Sequence, residues 1–168
     1  MNFDCYCCDA DDSEREGCTM PSCDLDYACP LGENRGLRFF LPMIPPTVTA
    51  QEHKVAVING KPRFFDPPEL KEARAKLIAH LAGFAPDKPY KCALRLVVKW
   101  LFPRGSHADG EYRATKPDCD NLQKLLKDCM TACGFWRDDA LVASEIVEKF
   151  WADNAGIFIG IEVLENEN

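Results

Sequence analysis

Apolar and polar side chains alternate from Leu94 to Phe102, with Leu94, Leu96, Val98, Trp100 and Phe102 on one side and Arg95 and Lys99 on the other. A repeat of two is that of a strand with one face in a core, and this run is the strongest strand signal in the chain. Shorter strands are expected at Arg38–Leu41, closed by the proline-rich PMIPPT, and around 141–150 and 156–163. Val55–Ile58 and Lys61–Phe65 flank Asn59-Gly60, which predicts a hairpin with a type I′ turn, and Pro62 marks its second strand as an edge. The repeat then lengthens. Leu70, Ala73, Leu77, Ile78 and Leu81 form a helical stripe that Asp66 is placed to cap, with prolines in its first turn and Gly83 at its end. His80, near that end, reads as a surface cation rather than a ligand. Leu122, Leu125, Leu126, Cys129, Met130 and Cys133 form a second stripe, which Gly134 stops. This order of elements predicts an α+β (mixed α/β) domain, a small mixed β-sheet packed with two main helices.

The second helix has acids at both ends. Lys116-Pro117 leads into Asp118 and Asp120, and on an extended segment residues two apart point the same way. Asp138-Asp139 follows the helix, after Phe135-Trp136. Paired carboxylates suit a hard divalent cation, which takes one or two of them and completes its shell with water and phosphate. A cation so held activates water and stabilises the charge that builds on a phosphodiester. Lys124 lies one turn past Asp120, placed to meet a phosphate. A plainer reading also fits: Asp120 with Gln123 matches a capping box, and Asp120 would then only cap the helix.

The run KPDCDNLQK, a helix, and then GFWRDD resembles the signature of the RusA family of Holliday junction resolvases, metal-dependent endonucleases of phage and prophage recombination. The resemblance covers roughly 37–164 and implies a RusA-like fold. Matched position by position, it implies that Asp118, Asp120 and Asp139 are the catalytic and metal-binding aspartates. Asp138 is implied as the neighbouring acid and a further metal ligand, and Lys124 as the catalytic lysine. It further implies Mg²⁺ or Mn²⁺ as cofactor, a homodimer, and symmetric nicking of four-way junctions. Pro117 departs from the pattern, because some members carry a basic residue before the first aspartate, and Lys116 can stand in for it.

A net charge of −7 argues at first against a nucleic-acid partner. Residues 1–36 account for all of it, with nine acids and two bases, while residues 37–168 hold 18 of each sign. Cations must therefore cluster locally to grip DNA. Arg104, His107, Arg113 and Lys116 are the candidates, on a segment whose two glycines equally suit a mobile connector. Residues 1–36 also hold six of the ten cysteines, Cys5, Cys7, Cys8, Cys18, Cys23 and Cys29. Their spacing fits no standard zinc finger, so a cysteine-rich acidic extension is expected here, with zinc as the alternative. Residues 37–168 are expected to form the nuclease domain.

No apolar run approaches a membrane span and no signal peptide opens the chain, so a cytoplasmic protein with no membrane partner is expected. The expected function is Mg²⁺-dependent cleavage of branched DNA. The alternatives are a nuclease of flaps or other branches, a non-catalytic DNA-binding homologue, and a zinc-dependent interaction module. One further expectation concerns geometry. If Asp139 joins Asp118 and Asp120 within one chain, residues 133–139 must run straight back along the helix, and that single-chain site is the expected one; a site shared across a dimer is the alternative.

Overall fold

The computed structural model describes residues 36–48, 54–58, 61–65 and 67–164. Among the described residues six strands and two α-helices follow one another: β1 (Gly36–Leu41), β2 (Lys54–Ile58), β3 (Lys61–Phe65), α1 (Pro68–Leu81), β4 (Leu94–Pro103), α2 (Cys119–Ala132), β5 (Val142–Ala152) and β6 (Gly156–Val163). The main sheet has the order β1-β6-β4-β5, and β2-β3 form a separate antiparallel pair. Among the described strands of this sheet β4 and β5 pair in parallel, and the other neighbours are antiparallel. The expected α+β domain, a mixed sheet with two main helices, is therefore what forms.

The alternation along β4 does what its pattern dictates. Leu94, Leu96, Val98, Trp100 and Phe102 are buried, while Arg95 and Lys99 lie on the other face. Ile157, Ile159 and Ile161 of β6, with Phe39 and Leu41 of β1, extend the same apolar layer. Against it pack Leu70, Leu77 and Leu81 of α1 and Leu122, Leu125, Leu126, Cys129 and Met130 of α2. Each such leucine contributes about 1.5–3 kcal/mol on leaving water. Cys129 and Cys133 face α1, where their thiols approach the carbonyls of Arg74 and Ile78.

Helix α1 starts with Pro67 at its N-cap and no side-chain cap, and it runs on into a short 3-10 turn, Ala82–Phe84, that contains Gly83. The expected cap Asp66 and the turn Asn59-Gly60 lie outside the described residues, as do residues 1–35. Lys61 pairs with Ile58, so the hairpin has the two-residue link its sequence called for. Strand β1 begins at Gly36, one residue ahead of the expected domain boundary. Among the described residues no helix is long and apolar enough to cross a membrane.

Strand β4, helix α2 and parallel strand β5 make one crossover unit, and that unit positions the candidate site. The chain runs up β4, down α2 and up β5. The C-terminal end of α2 is closed by Gly134 at φ 80°, where Gly134 N–H donates to Thr131 and Phe135 N–H to Met130. This pair of bonds is a Schellman motif, and it needs the left-handed conformation that glycine adopts without strain.

Candidate active site

Asp118 and Asp120 sit together at the mouth of α2, though not on an extended segment as expected. The helix begins at Cys119, so Asp118 is its N-cap residue, with φ −75° and ψ 150°, and Asp120 is already its second helical residue. The capping box proposed for Asp120 and Gln123 is therefore absent: the cap position belongs to Asp118, which makes no side-chain cap bond. Gln123 instead points into the protein, 2% exposed, with neither amide atom bonded. Two carboxylates left exposed at a helix N-terminus are favoured there by the positive end of the helix dipole. Lys124 follows one turn on, exposed. Among the described residues, the side chains of Asp118, Asp120, Asp139 and Lys124 make no hydrogen bond or ion pair.

The approach to Asp118 is tightly held. The Lys116–Pro117 peptide is cis and Pro117 is buried. Lys149 of β5 reaches across with its ammonium, donating to the carbonyls of Pro117 at 2.6 Å and Thr115 at 2.9 Å. Nothing in the sequence singled Lys149 out, because its partners are backbone groups more than thirty residues away.

The loop from Arg104 to Lys116 is not a slack connector. It pairs along the outer edge of β5: Arg113 N–H donates to Lys149, Gly110 N–H to Trp151, and Trp151 N–H to Glu111. The ring of His107 stacks on Trp151 at 4.4 Å between centroids, and its Nδ1 meets Glu111 at 2.9 Å. That contact holds the Glu111 carboxyl below its ordinary range. The Arg113 guanidinium lies 3.8 Å over Phe102 and 4.5 Å over Trp151, and burial lowers its pKa. Arg104 pairs with Asp153 and donates to the His107 carbonyl. Three of the four candidate DNA-binding residues thus hold the loop in shape, and the fourth, Lys116, is exposed with its side chain unengaged among the described residues.

Asp138 and Asp139 stand at the other end of the unit. After the Schellman turn, Trp136 bridges to Tyr90 and its indole N–H donates to Thr131. The segment therefore stays beside the C-terminal end of α2 and does not run back along it. Asp138 caps the next 3-10 turn by accepting from Ala140 N–H at 2.8 Å, and Asp139 is exposed within that turn. Val142 then pairs with Leu94 at the start of β4. Helix α2 has 14 residues, about 20 Å of length, so Asp139 is separated from Asp118 and Asp120 by about the whole helix. The expected single-chain site is not formed. Among the described residues no group of three His, Cys, Asp or Glu side chains gathers closely enough to hold a metal ion.

The family model described as endodeoxyribonuclease RusA matches residues 44–162. That span includes both acidic pairs, Lys124 and the whole crossover unit. The chain belongs to the RusA family. No curated protein matches the sequence. Membership in this family supports a DNA-cleaving hydrolase. The donor chemistry fits: two carboxylates at one mouth are what a hard cation takes from a protein when water and phosphate supply the rest.

Proposed function

We propose that this RusA-family protein is a Mg²⁺- or Mn²⁺-dependent endonuclease that resolves four-way DNA junctions as a homodimer, by two symmetric nicks. The observation that supports it most is the exposed pair Asp118 and Asp120 at the helix mouth, on a segment held in place by Lys149 and Arg113. A divalent cation would be held there by Asp118 and Asp120, with Asp139 supplied by the second copy. When bound, it offsets negative charge on the scissile phosphate. Lys124, on the same side of the helix one turn on, is placed to stabilise charge on a phosphate oxygen. Lys116 grips the flanking backbone. A two-fold dimer suits a four-way junction that needs two symmetric nicks.

The test is a labelled four-way junction, a flap and a linear duplex, each incubated with the full chain in Mg²⁺ and in EDTA. Paired nicks in the junction alone, abolished by EDTA, support the reading. Preferential cutting of the flap would move the substrate to another branch, and tight junction binding without nicking would mark a DNA-binding homologue.

A further inference from the structure

Three consecutive carbonyls lead into Asp118, and each is held by a cation. Lys149 Nζ takes those of Thr115 and Pro117, and Arg113 Nη2 takes that of Lys116 at 2.5 Å. The two cations are themselves fixed. Lys149 is half-buried on β5, next to Trp100 across the strand pair, and its own carbonyl accepts from Arg113 N–H. Arg113 rests on Phe102 and Trp151. Charge-assisted bonds of this kind are about twice as strong as neutral ones. Taking carbonyls on both sides of Lys116 leaves the segment little freedom to turn. What that fixes is the direction in which the chain enters α2, and so the separation of the carboxylates of Asp118 and Asp120.

We propose that Lys149 is a positioning residue for the reaction: it sets the geometry of the Asp118–Asp120 pair without touching the substrate. The inference rests on the functional reading above and deepens it. A lysine that merely anchors a loop contributes to folding alone. A lysine that positions metal ligands contributes to metal affinity and turnover, and changes behind the ligands cost about 10–100-fold in either.

The experiment uses the full chain with Lys149→Met, which keeps the apolar stem and removes the donors, and Lys149→Arg, which restores a cation. Turnover on a four-way junction is measured against substrate concentration, and Mn²⁺ affinity is read from the electron paramagnetic resonance of the free ion. Lys149→Met is expected to lose about 10–100-fold in kcat and in Mn²⁺ affinity, with KM for the junction nearly unchanged and Lys149→Arg recovering much of both. Wild-type kcat and Mn²⁺ affinity in Lys149→Met, with only its melting temperature lowered, would overturn the proposal. Should Lys149→Met not fold, Lys149→Gln decides by the same two readings. If the wild-type chain cuts no junction, the functional reading fails on its own, and the Mn²⁺ titration still decides whether Lys149 positions the pair.

Discussion

Asp118 and Asp120 are two positions apart, and the helix treats them differently. Asp118 holds the N-cap place and Asp120 lies inside the first turn. Asp120→Asn therefore leaves the cap residue alone and removes one charge from the positive end of the helix, a cost of about 0.3–1 kcal/mol. If Asp120 holds a cation, the same change abolishes cleavage while junction binding stays largely intact; a cleavage assay beside a binding assay separates the two, and full activity at saturating Mg²⁺ would remove Asp120 from the site. Lys124→Ala is expected to slow cleavage far more than it weakens binding. An unchanged rate would make Lys124 an ordinary solvated side chain. These acids and this lysine stand out as candidates in the sequence, by their recognisable order. The division of labour between the two aspartates was not, because it turns on a helix start that differs from the apolar pattern by three residues. Local patterns place helix ends only to within a turn.

Elements are legible where periodicity governs them. The alternating run became β4, the 3.6-residue stripe became the buried face of α2, and Gly134 ended that helix in the left-handed conformation expected of it. The loop 103–117 was open between two readings, since its ties are backbone bonds to β5 and ring contacts with Phe102 and Trp151, none of which leaves a local signature. Inside the helix pair, burial raises the Cys129 thiol from 9.0 to about 11. Between those values the unfolded chain releases this proton and the folded protein keeps it, so stability falls as pH rises from about 9 to about 11. Chemical denaturation at a series of pH values should show wild type losing about 1–2 kcal/mol more across that window than Cys129→Ala does. Parallel curves would mean that the thiol ionises equally in both states.

At the scale of the whole molecule, direction matters more than reach. The length of chain from Cys133 to Asp139 would have allowed a return to Asp118, but the parallel pairing of β4 with β5 requires a crossover, and a crossover leaves the ends of α2 on opposite sides of the unit. That pairing joins residues some fifty positions apart, so no local pattern could reveal it. Residues 1–35 are a separate matter. Since β1 begins at Gly36, a chain starting there keeps every described strand, and it should fold, cleave, and bind DNA more tightly for having lost the acidic segment. Loss of folding on that deletion, or stoichiometric zinc in the purified full chain, would show the cysteines to be structural. If two copies share each site, as proposed above, complementation shows it most directly. Asp118→Asn and Asp139→Asn chains are co-expressed with different tags and purified as heterodimers, and each alone is expected to be inactive. A shared site leaves one complete set of aspartates in the heterodimer, so nicking of one junction strand is expected to return. Heterodimers that bind the junction yet cut neither strand, beside an active wild-type dimer, would contradict the account.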